Sequence, residues 1–240
     1  MTETFDPFWK SADNARQYDE FTKTDFARIY PVIANQILER TGITTGTCLD
    51  IGSGPGSLAM AIASLSDLRV TALDSSTEMY ALAQKNIRDR CLEPVATPLM
   101  GDVHAIPAAD RTYNLVISRG SYHFWEDLPG AFLEILRVLK PGGVAYIGGG
   151  YGSARIRNEV LAGRKERGIV DDPDHPVRTR FRKFRLGEIE AAIESAGIAE
   201  YRIINDDSGF WILFRKAEEQ VHRNRLMACG VSDVIKVVSP

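Results

Sequence analysis

"CLDIGSGPGSLAMAIA", residues Cys48–Ala63, joins an apolar run containing an acid to three alternating glycines and then to an apolar pattern of helical period. Strand, glycine turn and helix in that order bring backbone against a nucleotide. Glycine removes the Cβ clash, and the helix start leaves N–H groups without intrahelical acceptors. The dinucleotide fingerprint is G-x-G-x-x-G, whose third glycine packs helix on strand. Here the glycines are Gly52, Gly54 and Gly56, and the position that would complete that fingerprint is Ser57. Pro55 removes one N–H donor from the turn. Asp50, on the approach, would repel a pyrophosphate but attract an ammonium or a sulfonium. The spacing points away from NAD.

Outward from this turn, strand-like and helix-like segments alternate, which predicts an α/β fold with helices on both faces of a sheet. The first strand is "TCLDIG" (47–52) and the second "RVTALD" (69–74). "SSTEMYALAQKNIRD" follows as a helix, and Ser75, three residues before Glu78, predicts a capping box there. "ATPLMGD" (96–102) is a shorter third strand, and "YNLVISRG" (113–120) is apolar enough for a central fourth. In "LPGAFLEILRVLK", Phe132, Ile135, Leu136 and Leu139 define one helix face, which "PGG" ends before a fifth strand, "VAYIGG". "RLGEIEAAIESAG" repeats the pattern with Ile189, Ala192, Ile193 and Ala196. "EYRIIND" and "FWILFRK" are separated only by "DSG", too short for a crossover, so they predict a terminal antiparallel hairpin. The expected architecture is a Rossmann-like, mainly parallel, seven-stranded sheet. One domain spans 1–240, with a helical N-terminal lid (1–40), a charged cap insertion (151–185) and a C-terminal extension (216–240).

The composition bounds the rest. The chain has 240 residues, 44% of them hydrophobic and 25% charged, which is ordinary for a soluble globular domain. A net charge of −3 gives no general attraction to nucleic acid or anionic membrane. No apolar run approaches the roughly 20 residues of a membrane helix, and the polar start is no signal peptide. Cys48, Cys91 and Cys229 are widely spaced, which fits reduced thiols in a cytoplasmic protein, with Cys48 in the core. "DDPDH" (171–175) fits an exposed turn better than a metal site, and no metal is expected.

"LDIGSGPGSLAMAIA" resembles the first motif of class I S-adenosylmethionine-dependent methyltransferases. The resemblance continues in order through "VTALDSSTEM", "MGDVHAIP", "YNLVISRGSYHFWED" and "LRVLKPGGVAYI", and covers roughly residues 45 to 215. It is nearest to the small-molecule branch of ubiquinone and menaquinone biosynthesis. It implies S-adenosyl-L-methionine as cofactor and S-adenosylhomocysteine as product. It also implies that Asp74 accepts from the ribose hydroxyls, followed by Ser75, and that Met79 forms an apolar wall beside the adenine, although plain helix core is a rival for Met79. Asp102 is implied for the adenine amino group and Val103 for a backbone N–H. Gly52, Gly54 and Gly56 let the chain pass close to the cofactor, Asp50 holds water or its amino group, and Ser118, Arg119 and Gly120 sit at the crevice beyond the strands' carboxyl ends. Tyr18 matches a lid tyrosine that the resemblance brings to the cofactor from the N-terminal helix, with helix packing as its alternative. Asn114 departs from the acid the family often carries there, at a position read as structural.

Methyl transfer is an in-line displacement that needs a nucleophile held opposite the sulfur; a base is needed only if that nucleophile arrives protonated. His123 is the candidate base, at the mouth of the fourth strand, with packing as its competing role. Tyr122 and Trp125 either line an aromatic pocket or cover the sheet end. His104 reads as a solvated loop residue. Gly148, Gly149, Gly150 and Gly152 suggest backbone approaching a bound anion or a hinge for the cap. Arg155, Arg157, Arg164, Lys165 and Arg167, then Arg178, Arg180, Arg182, Lys183 and Arg185, either grip an anionic group or pair with nearby acids. The expected partner is a small-molecule substrate, anionic or aromatic, with no nucleic acid and no membrane. The alternatives are a cofactor-binding sensor or scaffold without turnover, and a protein or nucleic-acid methyltransferase; the missing N-P-P-Y-type motif counts against nucleic acid. Oligomeric state is not legible.

Overall fold

The computed structural model describes residues 11–168 and 184–218. "DDPDH", Arg178, Arg180, Arg182, Lys183, Cys229 and the tail from 219 lie outside the described residues. The strands are β1 (Thr45–Ile51), β2 (Asp67–Asp74), β3 (Ala96–Met100), β4 (Tyr113–Arg119), β5 (Leu139–Gly149), β6 (Tyr201–Asp206) and β7 (Gly209–Arg215). The helices are α1 (Ala12–Lys23), α2 (Ile29–Thr41), α3 (Ser57–Leu65), α4 (Thr77–Asp89), α5 (Leu128–Val138), α6 (Ala154–Glu166) and α7 (Leu186–Ser195). The sheet order is β3-β2-β1-β4-β5-β7-β6. β1 to β5 pair in parallel, and β7 runs antiparallel to both β5 and β6. This is the expected Rossmann-like sheet with its terminal hairpin.

Two apolar layers sandwich it. Ile33 and Ile37 of α2 and Leu58 and Ile62 of α3 pack with Cys48, Leu115 and Ile117 on one face. Phe132 and Ile135 of α5 and Ile189 and Ile193 of α7 pack with Leu49, Val116 and Ala145 on the other. Alternate residues of each strand serve opposite layers, so the middle of each central strand carries apolar residues toward both faces. Burying each such side chain contributes about 1.5–3 kcal/mol. The sheet stacks its parallel strands so that β1, β2 and β4 all end at one rim, where their loops converge.

Two local expectations need correction. The α4 N-cap is Ser76, not Ser75: the Met79 N–H donates to Ser76 Oγ at 3.2 Å, and Ser75 is exposed. The extra residue is needed because the Ser76 N–H must first reach back to Asp74. "PGG" does not precede β5 but lies inside it. Tyr113 pairs with Leu139, the register then shifts, and Gly142 (φ 74°) donates its N–H to the Lys216 carbonyl while the Lys216 N–H donates to the Gly143 carbonyl. A bulge absorbs the turn that the proline and glycines announce. Asn114 is structural, as expected: its Oδ1 accepts from the Thr47 N–H at 3.0 Å and from Lys140 Nζ at 2.9 Å.

Candidate functional site

The glycine turn leaves β1 with Gly52, Gly54 and Gly56 all at positive φ. A Cβ on Gly52 would lie 2.3 Å from the Cβ of Ser121, so the turn and the β4 exit touch through a missing side chain. Asp74, at the end of β2, ties this turn to α4. Its Oδ2 accepts the Gly54 N–H at 2.8 Å and its Oδ1 the Ser76 N–H at 2.9 Å. Burial pushes the Asp74 carboxyl above the usual range, against the backbone bonds from Ser76, Gly54 and Ser75. Met79, one turn into α4, is buried.

Asp50 is 1% exposed. It accepts one backbone bond, from Ala59, and its Oδ2 has no hydrogen-bond partner. Burial first, then the Asp74 charge, raises its pKa to about 8, against the Ala59 bond and Arg119. Ser53 Oγ, in the same turn, is also buried without a hydrogen bond. Native interiors leave few such atoms unsatisfied, and clusters of them mark a ligand's place.

α1 closes over the turn. A Cβ on Gly54 would meet Tyr18 Cε1 at 3.5 Å. The Tyr18 hydroxyl is hydrogen-bonded to Tyr30, which also bonds Ser57 at the start of α3. Burial raises the pKa of both phenols. Asn86 of α4 locks α1 down: its Nδ2 donates to Asp19 Oδ1 at 2.8 Å and to the Pro55 carbonyl at 3.0 Å. α6 braces the α1–α2 junction, with Arg28 to Glu159 at 3.4 Å, Arg164 to Asp25 at 3.6 Å and Arg167 to Asp25. Arg155 pairs with Glu159 on its own helix at 3.1 Å. These arginines of the cap segment pair with acids, the second of the two roles expected for them.

On the far side of the rim, Asp102 Oδ1 accepts from the His104 N–H at 2.8 Å and lies 2.6 Å from His104 Nδ1. His104 Nε2 accepts from the Asp127 N–H at 3.2 Å. His104 is thus a bracket between the Asp102 loop and the α5 N-cap, on a loop where its side chain stays partly exposed. Val103 is buried. Ser118 Oγ lies 2.6 Å from Ser121 Oγ, which donates to the Ile51 carbonyl at 3.0 Å, stitching β4 to β1. His123 is buried in a short 3-10 turn with its ring centroid 3.8 Å from that of Tyr122. Tyr122 faces Phe184 and Phe210, and Trp125 packs edge-on against Phe132. Three of the glycines at the end of β5 and just after it are required by close neighbours. A Cβ on Gly148 would strike the Phe210 carbonyl at 2.1 Å, one on Gly150 the Ser208 carbonyl at 2.0 Å, and one on Gly152 a Val32 methyl at 2.7 Å. Among the described residues no cluster of His, Cys, Asp or Glu could hold a metal, and no helix is long and apolar enough to cross a membrane.

The rim therefore gathers Asp50, Gly52, Gly54, Asp74 and Ser118 at the strand ends, with Tyr18 over Gly54 and with Asp102 and Val103 beyond the end of β3. An unsatisfied buried carboxyl oxygen beside side-chain-free backbone fits a cationic, sugar-bearing ligand. The crystal structure of a candidate S-adenosyl-L-methionine-dependent methyltransferase from Methanococcus maripaludis is 42% identical, superposes with a TM-score of 0.79, and aligns over 92% of this chain and 99% of its own. The chain belongs to the class I S-adenosyl-L-methionine-dependent methyltransferases. S-adenosyl-L-methionine is the cofactor of this methyltransferase family, and the crevice residues fit it by the donor set just described. The Methyltransferase domain family model matches residues 49–147. A demethylmenaquinone methyltransferase from Chlorobaculum tepidum is 37% identical over 99 residues, 41% of this chain and 38% of that protein. A malonyl-[acyl-carrier protein] O-methyltransferase from Geobacter sulfurreducens is 24% identical over 186 residues, 74% of this chain and 67% of that protein. The chain spans about two fifths of the length of the first curated relatives it matches.

Several residues around the site carried no role in the sequence reading: Tyr30, Ser121, Asp19 and Asn86. Asn86 left a usable signal. It stands seven residues after Met79 on the buried face of α4, where an apolar residue is the rule, so a polar side chain there demands a partner. Tyr30 in an apolar helix left none.

Proposed function

We propose that this methyltransferase moves a methyl group from S-adenosyl-L-methionine to a small-molecule acceptor. The observation that carries this reading is the Asp74 carboxylate holding Gly54 and Ser76 beside the unsatisfied Asp50 oxygen. The menaquinone and malonyl-carrier relatives named above support a small-molecule acceptor.

When bound, the cofactor supplies an electrophilic methyl on a sulfonium whose charge vanishes as the methyl leaves. Asp74, already oriented by the backbone N–H groups of Gly54, Ser75 and Ser76, holds the ribose hydroxyls through its remaining lone pairs. Asp102, oriented through Oδ1 by His104, accepts from the adenine amino group, and the Val103 N–H donates to the ring. Met79 forms the apolar wall. Asp50 holds the amino group. Tyr18 on α1 excludes water from above Gly54, and Gly52, Gly54 and Ser118 line the floor. Holding the acceptor in line supplies most of the rate, on the order of 7–11 kcal/mol in favourable cases. His123 serves as base only for an acceptor that arrives protonated. Replacing it with Gln then lowers kcat and removes the acid limb of the pH profile, with S-adenosylhomocysteine affinity unchanged.

The test is incubation of the protein with methyl-labelled cofactor and a metabolite extract. Label in a small molecule is expected. Label that disappears with protease or nuclease treatment would overturn the acceptor class, and tight cofactor binding with no labelled product would favour a sensor.

A further inference from the structure

A cleft of about 200 Å³ lies between the α1–α2 segment and α3, with Ser57, just past the glycine turn, in its lining. Tyr30 and Met60 are buried within it, and Leu65, 44% exposed, stands at its edge. Pro31 and Ala61 extend the apolar walls on α2 and α3. Ser57 and Leu65 are the two ends of α3, so the cleft follows that helix for about 12 Å. None of Asp50, Gly52, Gly54, Asp74 and Ser118 lines it. Sites for drug-sized ligands run to about 300–1,000 Å³, so an occupant that fits here is smaller.

Two cations border these apolar walls. Lys23, at the end of α1, pairs with Asp19 at 2.6 Å, and Asp19 also accepts from Asn86, so that carboxylate is engaged within the protein. Arg90, the C-cap of α4, is exposed, and among the described residues no carboxylate pairs with its guanidinium. Lys85 and Arg88 stand on the same helix end. The Lys85 hydrogen bond first, then the Lys85, Arg88 and Lys23 charges, holds the Asp89 carboxyl below its usual range. The corner is therefore positive around an apolar slot. A neutral hydrocarbon would leave Arg90 unused, an inorganic anion would leave Leu65 facing water, and a cation would be repelled. An apolar carboxylate meets both features, with hydrocarbon against the walls and a charge-assisted pair at the edge.

We propose that this cleft is a second ligand site, for a small apolar carboxylate of the medium-chain fatty-acid type, its head on Arg90 beside Lys23 and its tail along α3. Occupancy reaches the crevice through Tyr30. That residue lines the cleft, and its hydroxyl is hydrogen-bonded both to Ser57 and to Tyr18, whose ring covers Gly54. A ligand seated against Lys23, Tyr30 and α3 ties the α1–α2 segment to α3 in the position that keeps Tyr18 over Gly54. Carboxylate and cofactor are then positively coupled, each raising the other's affinity by the same factor. The coupling rests on the proposed function; the site itself does not.

Calorimetric titration of the full chain with octanoate, octanol and octylamine tests the site. Octanoate is expected to bind, and octanol and the protonated amine to bind at least about tenfold more weakly. Arg90→Gln, at an exposed helix end, weakens octanoate about 3- to 10-fold. Ala61→Trp fills the cleft from α3 and weakens octanoate at least about tenfold, with the far-ultraviolet circular dichroism unchanged. Saturating octanoate tightens S-adenosylhomocysteine binding about two- to tenfold. No octanoate binding, equal binding of octanol or octylamine, or an octanoate affinity that neither variant changes would overturn the site. S-adenosylhomocysteine affinity unchanged by octanoate would overturn the coupling. Octanoate that binds to a chain unable to take S-adenosylhomocysteine would overturn the proposed function and the coupling, and would uphold the site.

Discussion

Asp50→Asn perturbs a carboxyl that is 1% exposed, has one unsatisfied oxygen, and titrates at about pH 8. At pH 7 about 0.9 of the molecules therefore carry the proton in the ligand-free protein. An arriving ammonium favours the carboxylate, so S-adenosylhomocysteine binding at pH 7 expels about 0.9 proton, falling to about 0.1 at pH 9. Calorimetry in phosphate and in Tris reads this directly, because the observed enthalpy varies with buffer ionisation enthalpy by the number of protons released. Asp50→Asn has no such proton to lose, and its slope is close to zero. The sign for stability is the reverse of the usual carboxylate. Asp50's pKa rises on folding from near 3.8, so its contribution is complete below about pH 4. It erodes by roughly 1.4 kcal/mol per pH unit until about pH 8. The ligand-free native protein should therefore lose melting temperature from pH 5 to pH 8 faster than Asp50→Asn does. A native slope of zero at pH 7, or parallel melting curves, would refute a protonated Asp50.

Asp74→Ala removes the acceptor for Gly54 and Ser76 as well as the ribose partner; S-adenosylhomocysteine affinity should fall at least about tenfold, read by calorimetry. Gly52→Ala meets both a positive φ and the Ser121 side chain, so urea unfolding should show a loss of about 2 kcal/mol or more. Asn86→Leu leaves Asp19 and the Pro55 carbonyl without their shared donor; a loss of about 1–3 kcal/mol and faster amide exchange in α1 are expected.

The parts of the fold visible in the sequence were those governed by local rules. The alternation of strand and helix, the apolar face of α7 and the short "DSG" turn each carry their own periodicity or turn chemistry. The exceptions arose where a distant partner decides. Ser76 took the cap from Ser75 because Asp74 draws its N–H back. Gly148, Gly150 and Gly152 follow from the reversed β7, the turn before it and α2 pressing against them, and no window around those glycines contains any of these. The same division holds in the site. Motif residues on one strand end could be named one by one, whereas Tyr30 and Asn86 acquire meaning only when α1 and α2 fold against the rim.

The measurement that bears most directly on the account is a crystal structure of the chain with S-adenosylhomocysteine. The account predicts the ribose on Asp74, the adenine near Asp102, and the amino-acid end beside Asp50. A ligand bound away from the ends of β1, β2 and β4, or that crevice closed by protein side chains, would contradict it.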